Sequence, residues 1–318
     1  MPRVSVHGVP VAWDASSLPE DPLASLSHLP ATNDEPALQI TLSRAAFRDV
    51  PVRGAPWFFH GVLSVTRDGD LVRMDDGASS AIVRPGHVDA RLVVEGERLG
   101  PFAIGLVGAA MLLALREVAL YDLHAAAVVD RHHRGIIIAG DSGAGKTTTT
   151  LALLEAGADH VGDDRVLLRD GGARPEVLAW PREFHVGGAT LAFFPRLAPF
   201  VGPPYGSGEK RVLDPDAAYP GRRRLSLPTV NALVFPRIDV EVPETRAFAV
   251  DRATAFGNLL IAGAMATLDG VQGAKAHLAL LSALAGEGTP LELVLGRDVA
   301  GDPGVIPRAI DRALAEIS

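Results

Sequence analysis

The sequence predicts an α/β protein in which a mixed α/β domain, residues 104–318, follows a small β-rich domain, residues 1–103. Between about residues 38 and 94, short β-type runs alternate with Asp-Gly turn signals, which is typical of hairpins. After residue 123, two apolar strand-like runs lead into a glycine-rich loop and a helix-like stretch. The remaining chain alternates further strand and helix patterns, as α/β folds do.

The β-rich domain is expected to start with an irregular arm, because residues 1–38 are rich in Pro, Ser and Asp. Beyond the arm, the runs 61–66 and 71–74 flank the turn Arg67-Asp68-Gly69-Asp70 and predict a hairpin. An apolar helix predicted over residues 104–120 is expected to lie buried between the two domains.

In the mixed domain, the runs 125–129 and 135–139 predict buried strands, and a helix is predicted from Lys146 to Glu155, where Gly157 ends it. A hairpin is predicted around Asp170-Gly171-Gly172. Further strands are predicted at 231–235, 245–250 and 291–295, and further helices at 253–265, 274–284 and 306–317.

Composition excludes several classes of protein. The formal net charge of −8 provides no overall basic field for nucleic acid. The absence of cysteine excludes disulfides, thiolate metal sites and cysteine nucleophiles. The N-terminus lacks the apolar run of a signal peptide, and the apolar stretch 104–115 is too short to span a bilayer. We therefore expect a soluble cytoplasmic protein with no nucleic-acid or membrane partner; assembly into a homo-oligomer stays open.

A glycine-rich loop with a lysine follows the second buried strand. Gly140-Asp141-Ser142-Gly143-Ala144-Gly145-Lys146-Thr147 matches G-x-x-x-x-G-K-[ST] in full. We call residues 140–145 the glycine loop. Its backbone N–H groups and the start of the helix favour polyphosphate, Lys146 is predicted to reach the β- and γ-phosphates of ATP, and Thr147 to bind Mg²⁺. Thr148 is included as an adjoining nucleotide-binding residue. A chance glycine turn is the alternative, and the flanking strand and helix argue against it.

Two adjacent aspartates, Asp163 and Asp164, stand where the next strand should end. In the parallel sheet of a βαβ unit, the carboxyl ends of neighbouring strands share one edge, so these carboxylates are expected to face the glycine loop. Phosphoryl transfer uses one carboxylate to hold Mg²⁺ and often another to accept the proton of the nucleophile. The pair is predicted to supply both, with a solvated Asp-Asp turn as the alternative.

Taken together, these residues resemble the catalytic core of HPr kinase/phosphorylase and its relatives. The resemblance rests on the glycine loop with Lys146 and Thr147, on the run from Ala156 to Val166 (AGADHVGDDRV), and on Leu123–Val128 (LHAAAV). It covers roughly residues 120–240 and implies a P-loop fold akin to that of phosphoenolpyruvate carboxykinase.

The resemblance also implies roles for individual residues. One of Asp163 and Asp164 is the base and the other a metal ligand, with Asp163 favoured as the base. His124 would lie near the reacting phosphate or orient an aspartate, and a core histidine at a strand start is the alternative. The run 181–188 departs from the family's L-E-I-R-G signature, and Glu183 in that run is retained as a further metal ligand.

Basic clusters occur in the Pro- and Gly-rich stretch 195–228, which predicts a long functional loop. Lys210 and Arg211 follow Gly206-Ser207-Gly208 and are predicted to close over the transferred phosphoryl group as a lid, unless they form a solvated face. The run Arg222–Arg224 is a weaker catalytic element, or it recognises an acidic acceptor.

The function best supported by these patterns is an ATP- and Mg²⁺-dependent kinase that phosphorylates a Ser or Thr hydroxyl of a peptide or protein. Kinases of a small hydroxyl metabolite or a free amino acid are the first alternative. A nucleotide-dependent regulatory or binding module without transfer is the second. A carboxykinase-type lyase shares the implied fold, but it would need a carboxylate-binding arginine and additional metal ligands that the sequence does not assign.

Overall fold

The computed structural model describes residues 1–45, 58–60, 63–100, 102–180, 183–204, 210–264, 270 and 272–317. The chain divides into two compact units, Met1–Leu120 and Tyr121–Ser318. The sequence places this division after residue 103. The structural division falls later because the apolar helix α1 (Ala103–Leu115) packs against strands of the first unit.

The described residues of the first unit form one main sheet, and the α-helix α1 packs against it. The described residues form a strand order of β1-β2-β3-β8-β7-β6-β5-β4, with β9 beside β8. The pairs β2/β3 and β3/β8 are parallel, and the other neighbours are antiparallel. The strands are β1 (Arg3–Val6), β2 (Val9–Asp14), β3 (Leu38–Ala45), β4 (Phe58–His60), β5 (Leu63–Asp68), β6 (Leu71–Asp75), β7 (Ser80–Arg84), β8 (His87–Glu95) and β9 (Arg98–Leu99).

The N-terminal arm is more regular than its composition predicts. β1 and β2 form an antiparallel hairpin whose turn residues, His7 and Gly8, both have positive φ angles of 51° and 92°. Val6 and Val11 are fully buried on it. The expectation of an irregular arm is therefore wrong at its start, since the alternating valines bury one face and override the Pro and Ser content.

The predicted hairpin further along is confirmed within the described residues. β5 and β6 pair antiparallel with Asp68 opposite Leu71, so Gly69 and Asp70 form the turn, and Gly69 has a φ of 59°. Residues 61–62 of the predicted first run lie outside the described residues.

The second unit contains three sheets and six α-helices in its described residues. The strands are β10 (Tyr121–Leu123), β11 (Ala125–Val129), β12 (Gly135–Ala139), β13 (Asp159–Gly162), β14 (Val166–Asp170), β15 (Pro175–Ala179), β16 (Phe184–Val186), β17 (Val201–Pro204), β18 (Arg211–Leu213), β19 (Ala232–Ile238), β20 (Arg246–Ala249) and β21 (Thr289–Leu295). The helices are α2 (Lys146–Glu155), α3 (Gly188–Phe193), α4 (Pro215–Ala218), α5 (Arg252–Ala262), α6 (Ala274–Glu287) and α7 (Val305–Ile317).

The central sheet has the order β13-β11-β12-β19-β21-β20. β12, β19 and β21 are parallel, whereas β11 is antiparallel to both β12 and β13. The expectation that the strand after α2 lies beside β12 is therefore wrong, because β11 separates them. β13 still runs in the same direction as β12, so the two strands end at the same edge.

Both faces of this sheet are covered, so its strands read as continuous apolar runs. Ile136 and Ile138 face one side, where they pack with residues of α2 and α7. Ile137 faces the other side, toward α5, α6 and the antiparallel sheet β10-β14-β15. This two-sided core fixes the edge at which β12 opens into the glycine loop.

The stretch 195–228 is more structured than the predicted loop. Pro195–Phe200 is a 3₁₀ helix, and β18 pairs with both β16 and β17. Residues 205–209 of the stretch, including the glycines expected to flank a lid, lie outside the described residues. The helices predicted at 274–284 and 306–317 and the hairpin β14–β15 are confirmed, as is a helix at 253–265 up to Ala262; residue 265 is not described.

Candidate active site

Three chain segments meet at one edge of the central sheet. The glycine loop leaves the carboxyl end of β12, and Asp163 follows the carboxyl end of β13. His124 immediately precedes β11, and because β11 is antiparallel, its first residue Ala125 lies opposite Ala139 at the same edge. The sheet therefore brings together the sequence-predicted loop, aspartates and histidine by strand direction alone.

The glycine loop adopts a conformation that requires glycine. Gly143 and Gly145 have φ angles of 84° and 107°, in the left-handed region where other residues are strained. A β-carbon at position 145 would also overlap the side chain of Leu295. Helix α2 starts at the next residue, so its unpaired N–H groups and positive end adjoin the loop. The predicted strand–loop–helix arrangement is confirmed, and it suits an anion.

Lys146 is folded back over the loop. Its side chain is buried, and Nζ donates to the carbonyl oxygens of Gly140 at 2.7 Å and Asp141 at 3.2 Å. Nζ also lies 3.1 Å from Nε2 of His124. Burial lowers the pKa of Lys146, while the Asp164 and Asp163 carboxylates oppose that shift. A cation held in place among dipoles is ready to meet a phosphate oxygen.

His124 lies between a cation and an anion. Because Nε2 faces the ammonium of Lys146, we assign it as the acceptor, which puts the ring proton on Nδ1. Nδ1 is 3.6 Å from Oδ1 of Asp164, an electrostatic contact longer than a hydrogen bond. Burial lowers the pKa of His124, so the neutral ring is favoured. The ring can therefore orient Lys146 and Asp164 without adding charge.

The two aspartates have different environments. Asp163 is only 6% exposed, and its Oδ2 accepts a hydrogen bond from Oγ1 of Thr147 at 3.3 Å. Burial, and secondarily the Asp164 carboxylate, raise the pKa of Asp163 to about 7. Oδ1 of Asp163 has no hydrogen-bond partner among the described residues. Asp164 is half-buried. Two adjacent carboxylates in such different environments are suited to different chemical roles.

The donor set fits a hard divalent cation that keeps water and phosphate ligands. Thr147 directs its proton at Asp163, which leaves the hydroxyl lone pairs available. No group of three or more His, Cys, Asp or Glu side chains that could enclose a metal occurs in the described part of the chain. Mg²⁺ commonly uses one or two carboxylates together with substrate phosphates. Glu183 is exposed, and its predicted role as a ligand stays a prediction.

The two predicted lid residues have different surroundings. The positive charge of Lys210 adds to the effect of burial that lowers the pKa of His124 and Lys146, and it opposes the rise in the pKa of Asp163. Arg211, the first residue of β18, instead donates from Nε to the carbonyl oxygen of Gly202 at 3.0 Å. Both side chains are exposed. Of the two residues, Lys210 is therefore the one whose charge affects the residues at the glycine loop.

The arginine run has intramolecular partners. Arg222 donates to the carbonyl oxygen of Leu154 near the end of α2, and Arg223 and Arg224 pair with Asp216 and Asp159. The run also bridges to β13 through backbone hydrogen bonds of His160. These contacts fasten the basic segment to the core, which argues against its recognising an acidic acceptor.

Sequence reasoning missed two supporting contacts. Arg165 donates to Oδ2 of Asp122 at 2.8 Å and so ties the turn that holds both aspartates to β10. Asp122 is a buried charge in an apolar run, and that pattern could have indicated a partner. Thr148 is buried, with its hydroxyl 3.1 Å from that of Thr190 on α3, so the hydroxyl is engaged within the protein. Nothing in the sequence marks Thr190.

No helix in the described ranges is long and apolar enough to cross a membrane. No protein-family model matches the chain, and no curated protein matches it. Among solved structures, the chain is similar to the HPr(Ser) kinase/phosphatase from Coxiella burnetii. The identity is 11%, the TM-score is 0.33, and the match covers 62% of this chain and 92% of that one.

Proposed function

We propose that this chain is an ATP-dependent phosphotransferase that phosphorylates a hydroxyl group. The observation that carries the proposal is the convergence, at one sheet edge, of the glycine loop, the ammonium of Lys146 and a buried carboxylate, Asp163, with one unpaired oxygen. The loop and the start of α2 supply donors for a polyphosphate. A carboxylate whose pKa lies near neutrality suits a general base.

Mg²⁺ would be held by Thr147 and Asp164 together with phosphate oxygens of ATP. When bound, it would neutralise charge on the phosphates as the bond to the leaving group breaks. Asp163 would lie behind Thr147 and keep its hydroxyl oriented through the hydrogen bond to Oδ2.

In the proposed reaction, the acceptor oxygen attacks the γ-phosphorus of ATP, and the bond from that phosphorus to the bridging oxygen breaks to release ADP. The acceptor proton passes to the carboxylate of Asp163. Lys146 leaves the loop carbonyls and binds phosphate oxygens. His124, which contacts Nζ of Lys146, keeps that ammonium in position. Lys210 adds positive charge from the open side of the site.

We propose a peptide or protein hydroxyl as the acceptor. Lys210 directly precedes β18, the middle strand of the small sheet β16-β18-β17, so the open side of the site adjoins extended backbone. Extended peptides bind along sheet edges, and the outer strands of this sheet are β16 and β17. A small hydroxyl compound needs no such surface.

The proposal is tested with ATP labelled in its γ-phosphate, Mg²⁺, and separate peptide and metabolite fractions of a native extract. The expected result is an acid-stable phosphoester on a polypeptide, formed about 10²–10³-fold more slowly by the Lys146→Met variant. Label confined to small compounds would contradict the choice of acceptor. Tight ATP binding with no transfer to either fraction would instead identify a nucleotide-binding module.

Lys210 and Arg211 provide a matched test of the charge on the open side. We expect Lys210→Ala to lower kcat by about 10²-fold, because one donor aimed at developing charge is removed. Arg211→Ala should stay within about twofold of wild type, since its guanidinium binds Gly202. Steady-state kinetics on both variants measures the difference, and equal effects from the two substitutions would contradict the assignment.

A further inference from the structure

A large exposed apolar side chain, Ile238, lies beside the glycine loop, and a second, Val240, follows it two residues later in the chain. Ile238, the last residue of β19, is 55% exposed, and Val240 is 63% exposed. Cγ1 of Ile238 lies 3.6 Å from the position that a β-carbon on Gly145 would occupy. Exposed β-branched residues at this position leave apolar surface in water next to an anion-binding loop. A ligand with a flat apolar part would bury that surface, which is favourable.

The order of strands fixes which end of a bound triphosphate would lie near this surface. β11 and β13, which bring His124 and Asp163 to the site, lie on one side of β12, and β19 and β21 lie on the other. The γ-phosphate must be next to Asp163 for the proposed transfer. The nucleoside end of the same molecule then leaves the glycine loop on the opposite side, toward the end of β19.

Ile238 also lies on the face of the sheet from which a ligand reaches the glycine loop. Ala232 and Val234 of β19 belong to the core that contains α2. Side chains two residues apart along a strand share a face, so Ile238 projects toward the α2 side, from which the glycine loop is reached. Pro236, between them in this series, lies against Gly140.

The segment that carries Val240 is fixed by hydrogen bonds. Asp239 N donates to Leu295 O at 3.0 Å, and Arg297 N donates to Val242 O at 3.0 Å. Farther along, Thr245 donates from N and Oγ1 to the Asp298 carboxylate. A surface held in this way loses little conformational entropy when a ligand binds.

We propose that Ile238 and Val240 form the contact surface for the purine ring of ATP; the inference rests on the proposed function. The ring binds by apolar contact, while the glycine loop and Lys146 bind the phosphates. The two parts of the ligand are therefore recognised by separate residues, and they can be tested separately.

The test compares the Kd of MgATP with that of magnesium tripolyphosphate, which lacks the nucleoside. The double variant Ile238→Ser/Val240→Ser should bind MgATP about tenfold more weakly, because apolar contact area is lost. Its Kd for tripolyphosphate should change by less than about twofold. Phe248→Ser, on the edge strand β20, is the control with a similarly exposed apolar residue, and it should leave both constants unchanged.

The outcomes separate this inference from the proposed function. Unchanged MgATP binding in the double variant would overturn the inference while leaving the phosphotransferase proposal intact. Equal weakening of both ligands would also overturn it, since that pattern indicates damage to the glycine loop. A wild-type protein that binds neither ligand would overturn both. Thermal unfolding of each variant checks that the fold is retained.

Discussion

Replacing Lys146 by methionine should lower the rate of phosphoryl transfer by about 10²–10³-fold, the cost of removing one preorganised positive group from a transition state. Methionine keeps most of the apolar stem of the buried lysine, so the packing is largely retained. The carbonyl oxygens of Gly140 and Asp141 lose a donor, but the exposed side of the loop lets water replace it. Transfer assays and thermal unfolding measure the two effects separately.

The control is Lys275→Met, which removes an exposed ammonium on α6 and should leave transfer unchanged. Lys146→Arg adds a sharper comparison, because the guanidinium is larger than the ammonium that contacts both His124 and the loop carbonyls, and it is expected not to rescue transfer. A Lys146→Met variant with wild-type turnover would remove the glycine loop from the mechanism and with it the basis of the proposed function.

Local features of the site were readable from the sequence because each depends on neighbours in the chain. The glycine loop follows the β-branched run Ile136–Ile138 and precedes α2, and the structure has both in place. The position of the aspartates after β13 was likewise predictable, because they directly follow the short apolar run of that strand in the sequence. Short-range patterns of this kind need no knowledge of which strands pair.

The sequence predicts only part of the order in which the strands pair. The runs 125–129 and 135–139 are separated by only residues 130–134, too few for a crossover, so their antiparallel pairing was implicit in the spacing. The placement of β13 on the far side of β11 depends on pairing across the whole of α2. No local pattern encodes that choice, so the convergence of His124 with the aspartates needed the structure.

Charges that act through space were the least predictable. Lys210 and Arg211 are adjacent and chemically alike, yet one acts on the site and the other binds Gly202. The run Arg222–Arg224 is fastened to α2, Asp216 and Asp159 by contacts between distant parts of the chain. Only the fold determines which charges in a basic stretch have intramolecular partners.

Asp163→Asn should nearly abolish transfer and at the same time stabilise the protein without ligands. The activity falls because an amide cannot accept the acceptor proton, and removing a general base costs about 10²–10⁴-fold. Asp164→Asn should instead raise the Mg²⁺ concentration required, and a reversal of these two results would exchange the roles of the aspartates.

The stability gain follows from the sign of the pKa shift. The pKa of Asp163 is about 7 in the folded protein, above the ordinary value of 3.8, so the folded state binds this proton more tightly than the unfolded state. Stability is therefore lost as pH rises between these two values, and above about pH 7 the buried charge carries its full cost, on the order of 4 kcal/mol. Asparagine removes that cost.

We accordingly expect the free energy of unfolding of Asp163→Asn to exceed that of wild type at about pH 8 and the difference to shrink toward about pH 4, where wild-type Asp163 is protonated in the folded state and about half protonated in the unfolded state. Urea unfolding in EDTA, without nucleotide, measures it at each pH.

Asp159→Asn is the control, because that carboxylate pairs with the exposed Arg224 and its loss should not stabilise the protein at either pH. A difference independent of pH, or largest in acid, would show that Asp163 is not a buried carboxylate of raised pKa. A buried charge that is needed for catalysis destabilises the folded protein, so a substitution that removes it is expected to raise stability while removing activity.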